Sequence, residues 1–395
     1  MHYSKIPLLL KIAVAIVAGI GLGSFTPAFI VRTFNTFNGV FDQLLKFLIP
    51  LIIIGLVTAD IADIGRRAGR MLLITAAMAY VATVVSGLFS YACSVWLFPS
   101  VVESADALAS TGAELTFEPF FTFKIPPVMD VTASLVLSFL LGLGIAAFDA
   151  HGLKRGFDEF KDIMTSAISK VIVPLLPLYI FGLFLDMTAV GKVGQVLQSF
   201  LVIIVIILLL TLTMLVLQYC VAGAVTRRNP FRLLATMMPA YFTALGTSSS
   251  AATIPVTLQQ TLKNGVSPAV AGFAVPLCAT IHLSGSTIKI VACAIAIMLM
   301  EGIPFDFPLM LGFILMLAVT MVAAPGVPGG AIMASLGVLD SILGFSAGQQ
   351  ALMITLYIAM DSFGTACNVT GDGAIALILD KIQRSNAEPE HPAAA

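Results

Sequence analysis

The chain has 395 residues, of which 59% are hydrophobic and only 10% charged, with a formal net charge of -1. An ordinary soluble domain carries roughly 45–50% apolar and about 25% charged residues, so this composition excludes a soluble catalytic domain or a nucleic-acid binder and demands lipid as the solvent. The near-zero balance says nothing about partners, because in a membrane protein the placement of Lys and Arg matters more than their sum.

Crossing a bilayer takes about 20 mostly apolar residues. Runs with few or no charges at residues 12–31, 47–59, 71–98, 131–148, 171–185 and 193–226 predict six spans. Lys5 and Lys11 before the first run imitate a signal peptide, but hydrophobicity continues through many later segments, which favours a first transmembrane helix. The second run is short, and the amphipathic stretch 35–46 ahead of it extends the same helix through the interface. The longest loop, 99–127, is acidic, with Glu103, Asp106, Glu114 and Glu118.

Beyond residue 230 the pattern changes. Segments 233–262 and 307–339 are charge-free, yet each is interrupted at its middle, the first by Gly246-Thr247-Ser248-Ser249-Ser250-Ala251-Ala252 and the second by Pro325-Gly326-Val327-Pro328-Gly329-Gly330. They read as hairpins that enter the membrane and return, since non-helical backbone at that depth is tolerated only where it is buried in protein or lines a cavity. Segments 269–300 and 351–379 complete eight predicted spans. With the N-terminus in the cytoplasm, only Arg32, Lys46, Lys124 and Lys192 fall outside and Lys289 lies within the membrane, while the rest of the 20 Lys and Arg face inward. The positive-inside rule thus predicts that both termini are cytoplasmic. The polar tail 385–395 reads as disordered. The five cysteines lie in apolar runs without metal-ligand spacing and read as packing residues.

Ionisable groups inside a membrane are functional candidates by default, and four stand out: His282, Lys289, Asp361 and Asp372. Asp361, Gly364, Thr365, Asn368 and Asp372 recur at the spacing of one helix face. Interhelical glue is the bland alternative, but two carboxylates exceed what packing needs. Thr280, His282, Ser284, Gly285, Ser286, Thr287 and Lys289 cluster around a glycine that can unwind its helix, and broken helices offer carbonyls to cations and amides to carboxylates. Lys289 must pair with Asp361 or Asp372, give up its proton, or snorkel to an interface. The Thr247-Ser248-Ser249-Ser250 tip offers hydroxyls and amides for a carboxylate, or is simply a turn packed among helices. An intramembrane hydrolase built from Ser249, His282 and Asp361 is the remote alternative, without a GxSxG motif to support it.

The serine tip followed by Thr253-Ile254-Pro255-Val256-Thr257, the Gly326-Val327-Pro328-Gly329 tip and Asn368-Val369-Thr370-Gly371-Asp372 together resemble the dicarboxylate/amino acid:cation symporters. An archaeal member of that family is a standard case of inverted-repeat architecture. The resemblance implies an all-α membrane protein with eight transmembrane helices plus two re-entrant helical hairpins, an inverted-repeat elevator transporter that forms a homotrimer in the plasma membrane. It implies scaffold helices within 1–70 and 99–192, and a mobile transport part from 71–98 and 193–385. It also implies that Asp361 binds a substrate ammonium and Asn368 a carboxylate, helped by Ser249, Ser250, Gly326 and Val327, while Asp372 matches a sodium-ligand carboxylate. No cofactor is expected beyond the coupling cation.

Two departures sharpen the expectation. Acid-selective members carry arginine three residues after the substrate aspartate; here that residue is Gly364, which leaves a substrate's side-chain carboxylate unpaired at a cost of a few kcal/mol. A small neutral amino acid is therefore favoured over glutamate, aspartate or a plain dicarboxylate. Where the family commonly reads Asn-Met-Asp-Gly-Thr, this chain reads His282-Leu283-Ser284-Gly285-Ser286, followed by Lys289. A fixed ammonium then supplies the charge that sodium would bring, and protons couple through His282, Lys289 or a carboxylate. The competing expectation keeps one sodium at Asp372.

Overall fold

The structure is a computed structural model that describes residues 8–66, 70–100, 117–129, 131–191, 193–322, 324 and 329–387. Gly326 and Val327, the acidic residues 103, 106 and 114, and most of the polar tail lie outside the described residues. No strand occurs among those described.

Helix α1 (Leu8–Gly23) is followed by α2 (Ala28–Arg66). The predicted first span, 12–31, is therefore cut: Pro27 cannot continue an incoming helix, but its carbonyl accepts the first bond of the next, from Ile30 N at 2.9 Å. The amphipathic stretch and the second apolar run do form one helix, α2, 39 residues long. Its polar face serves a strap formed by residues 117–129. Arg32 Nε donates to Glu118 O at 2.9 Å, Asn35 Nδ2 to Phe117 O at 2.7 Å, and the amides of Phe120 and Ile125 donate to Thr36 Oγ1 and Gln43 Oε1 at 2.9 and 3.1 Å.

Helices α3 (Arg70–Leu97) and α4 (Val131–Ala147) match their predicted runs. The predicted span 171–185 is the apolar end of a longer rod: α5 (His151–Ala167), a π turn (Ile168–Ile172) and α6 (Val173–Ala189). Pro174 lacks the N–H that would close the α-helical ladder there, which accounts for the widened turn. Helix α7 (Val193–Thr226) agrees with expectation.

The two interrupted segments form helix pairs. Helices α8 (Pro230–Thr247) and α9 (Ser250–Lys263) make the first, and α12 (Phe307–Met321) and α13 (Gly330–Leu343) the second. Both predicted single spans around the polar residues are broken. The first divides into α10 (Pro268–Ile281) and α11 (Ser284–Met300), the second into α14 (Ala347–Ala359) and α15 (Asp361–Ala387), which bends by 63°. Helix α15 runs to Ala387, into the expected tail.

Among the described residues, five helical runs are long and apolar enough to cross a bilayer, and the bent α14–α15 pair adds a sixth. Helices α1 and α4 are apolar over the 16 and 17 residues described. Phe25, Trp96 and Phe148, at 86%, 80% and 86% exposure, sit at the ends of α1, α3 and α4, where an aromatic belt meets the membrane–water boundary.

Helix α2 packs on α4, α5 and α6, and α1 on α6. Helix α15 lies at the centre of a second group, contacted by α7, α8, α9, α10 and α11, with α3 against α11 and α12. Polar ties fix that group. Asp380 on α15 accepts from Ser267 N at 3.0 Å and pairs with Arg384 Nε at 2.7 Å, and Arg384 Nη2 donates to Gly265 O at 2.9 Å. The outer end of the first hairpin is thereby held to the last helix.

Candidate functional site

The discontinuities converge on the start of α15. At the first tip, Ser248 takes a left-handed conformation (φ 49°) that ends α8, and Ser249 caps α9 by accepting from Ala252 N at 3.3 Å. Ser248 Oγ lies 2.7 Å from Ser362 Oγ, one residue past Asp361. At the second tip, Gly329 donates its amide to Asp361 Oδ2 at 2.8 Å. Asp361 thus joins the second tip to the α14–α15 bend, and Ser362 joins the first.

Lys289, fully buried at the middle of α11, reaches the same point. Its Nζ lies 3.4 Å from Asp361 Oδ1 and 3.4 Å from Met360 O, and 3.6 Å from the centroid of the Tyr357 ring. The Met360 carbonyl, which also accepts from Phe363 N and Gly364 N at 3.1 and 3.2 Å, the carboxylate and the ring face all favour a cation. Of the three options read from the sequence, the structure brings Lys289 to Asp361. Gly364 makes the room: a Cβ there would lie 2.5 Å from Lys289 Nζ. Gly364, the position at which the resemblance led us to expect no cationic partner for a substrate's side-chain carboxylate, therefore has a cation beside it, supplied by another helix.

Asn368 is used differently from expectation. Helix α11 begins at Ser284 after Leu283, which offers no side-chain cap. Asn368 supplies one from α15: its Oδ1 accepts from Gly285 N at 2.8 Å and Ser286 N at 3.3 Å, and its Nδ2 donates to Ser286 Oγ at 3.1 Å. Tyr357 OH donates to the same Ser286 oxygen at 2.9 Å. The helix unwinds at His282 and Leu283, two residues before the expected glycine. Gly285 serves close packing instead, since a Cβ on it would lie 2.6 Å from Gly364 O.

The other two ionisable candidates also pair. His282 Nδ1 lies 2.9 Å from Asp372 Oδ1, both side chains buried. Ser284 Oγ accepts from Gln218 Nε2 at 3.0 Å. His282 Nε2, Asp372 Oδ2 and Gln218 Oε1 are buried with no hydrogen-bond partner among the described residues. A Cβ on Gly371 would lie 2.5 Å from Gln218 Oε1 and 2.8 Å from His282 Cε1, which places these two groups together. An unsatisfied carboxylate oxygen and two further unsatisfied polar atoms are a costly set that a bound proton, cation or water would relieve.

Of the remaining candidates, Thr365 Oγ1 donates to Asp361 O at 3.0 Å within its own helix, and Ser250 is buried in the first turn of α9. The hydrolase arrangement does not assemble: Asp361 holds Lys289 and Gly329, whereas His282 pairs with Asp372. Sequence reasoning missed Gln218 and Tyr357. Gln218 is the one amide in the apolar run 200–226, and Tyr357 stands one turn before Asp361; those were the signals available.

Residues 8–382 match the profile of the sodium:dicarboxylate symporter family. Serine/threonine transporters SstT from several strains of Acinetobacter baumannii, including ATCC 17978 and AYE, are 27% identical over 407 residues, covering 98% of this chain and 99% of theirs. With transport rather than catalysis as that family's activity, and with helical membrane segments, paired buried charges and two hairpins in the order described, the chain belongs to the sodium:dicarboxylate symporter family.

Proposed function

We propose that this protein is a secondary active symporter that moves a small neutral amino acid across the plasma membrane, with protons as the main coupling ion and reduced sodium dependence. The observation that carries the reading is the Lys289 ammonium on Asp361, in the space Gly364 leaves. A site with one fixed positive and one fixed negative charge suits a zwitterion of no net charge. The serine/threonine transporters it resembles along its full length support a small hydroxylated or aliphatic side chain.

The reduced role for sodium is supported by the engagement of its would-be ligands by the chain itself. His282 Nδ1 takes one oxygen of Asp372, and Gln218 donates to Ser284, the residue that replaces an acidic ligand. Asp372 Oδ2 and His282 Nε2, each buried without a partner among the described residues, are where a transported proton would be held.

Movement follows the elevator scheme, in which α3 and α7–α15 slide against α1, α2, α4, α5 and α6 of a homotrimer with cytoplasmic termini and eight spans. The packing supports this division, because the two groups meet chiefly where α13 lies on α2 and α14 on α6. A second reading, a sodium-coupled acidic amino acid or dicarboxylate symporter, is favoured by one observation: Lys289 places a cation beside Gly364. Uptake of labelled serine, alanine, threonine and aspartate into proteoliposomes, under an inward sodium or an inward proton gradient at fixed voltage, decides between them. Proton-driven uptake of a neutral amino acid is expected; sodium-driven aspartate uptake would establish the second reading.

A further inference from the structure

The family resemblance assigns the substrate's carboxylate to Asn368, whose Oδ1 starts α11 and whose Nδ2 gives one of its two hydrogens to Ser286. Asn368 is thereby held in place, since moving it would uncap a buried helix terminus in the protein interior, where unpaired amides are expensive, and it has a single N–H left to offer. The charged group beside Asp361 with capacity to spare is Lys289. Its ammonium has three donors, and it lies 3.4 Å from each of its two oxygen partners, longer than the 2.7–2.9 Å of a tight charged hydrogen bond. Asp361 by contrast holds Gly329 N tightly at 2.8 Å through its other oxygen.

We infer that Lys289 receives the substrate's α-carboxylate while Asp361 takes its ammonium, so that a zwitterion inserts into the Lys289–Asp361 pair. This rests on the amino-acid reading above. The exchange is charge-neutral: an internal ion pair of the protein opens, and two ion pairs to one small molecule replace it. Selection follows from net charge. A carboxylate without an ammonium leaves Asp361 unanswered, an amine without a carboxylate leaves Lys289 unanswered, and either uncompensated buried charge is disfavoured. The Gly329 contact links the insertion to the start of α13, since the same carboxylate that receives the ammonium holds the Gly329 amide. Gly364 is the structural condition for the whole arrangement, because any larger residue would evict the ammonium.

The test is calorimetric titration of the purified full-length protein with L-serine, L-serinamide, which keeps only the ammonium charge, and glycerate, which keeps only the carboxylate. Wild type should bind serine at least about tenfold more tightly than either analogue. Lys289→Met should weaken serine by about tenfold or more and reverse the order, so that serinamide binds better than serine. Lys289→Arg should preserve the wild-type order. The inference is overturned if wild type takes serinamide as well as serine, a result that needs no variant to fold, or if Lys289→Met keeps the wild-type order. Binding of a dicarboxylate but of no zwitterion by wild type would instead remove the amino-acid reading on which the inference stands.

Discussion

A methyl group on Gly364 would approach Lys289 Nζ to 2.5 Å, inside any van der Waals contact, and α11 cannot retreat because Gly285 already packs on the backbone of residue 364. Gly364→Ala should therefore push the ammonium off Asp361 and cost about 1–3 kcal/mol, as overpacking does. Thermal unfolding in detergent measures this, and combining Gly364→Ala with Lys289→Ala should cost no more than Lys289→Ala alone, because the clash is gone. Additive losses would mean that the glycine serves something other than the lysine. Asn368→Ala should lower stability by about 1–2 kcal/mol through the lost cap, whereas Asn368→Asp keeps the accepting oxygens and should recover most of it; equal losses in both variants would contradict the capping role. At this scale the sequence was partly legible. Asp361, Asn368 and Asp372 announce themselves by helical spacing, and Lys289 by its cost in lipid. Their partners could not be read, since contacts such as Gln218 with Ser284 join helices distant in the chain and leave no local pattern.

The two hairpins were legible because serine, proline and glycine interrupt otherwise apolar runs. The bend between α14 and α15 was not: Met360 stands at the break, with no proline or glycine beside it, and the run 351–379 reads as one span. What stabilises the bend is tertiary, namely Lys289 on the Met360 carbonyl and Gly329 on Asp361. The amphipathic stretch 35–46 was legible as an extension of α2, and what its pattern did not reveal is that polar side chains there bind the strap at 117–129. Among the ties between elements, Asp380 is the most exposed to test. Asp380→Ala removes the acceptor of Ser267 N and the partner of Arg384, and should destabilise the protein by about 1–3 kcal/mol. Proteolysis at the outer end of the first hairpin should accelerate in parallel; an unchanged unfolding midpoint and cleavage rate would show that the tie is dispensable.

Composition and the order of apolar segments made the membrane class legible, and the serine tip with the Asn368–Asp372 motif carried the family resemblance. The positions of the breaks inside two of the predicted spans were not legible, because tertiary contacts fix them. The proposed sliding of two helix groups makes its own prediction. Helix α13 lies on α2, and Asp340 and Asp42 interact across that contact. In a background without the native cysteines, Asp42→Cys joined to Asp340→Cys by a short bifunctional reagent should arrest transport, with recovery on cleavage of the linker. Full transport by the cross-linked protein would exclude relative motion there. In the proposed mechanism, charges belonging to the chain, Lys289 on Asp361 and His282 on Asp372, take the place of bound sodium. The affinity of the purified protein for serine, followed as sodium replaces choline at constant ionic strength, tests this. Less than about a twofold change is expected, whereas tightening by about tenfold or more with sodium would rule the substitution out.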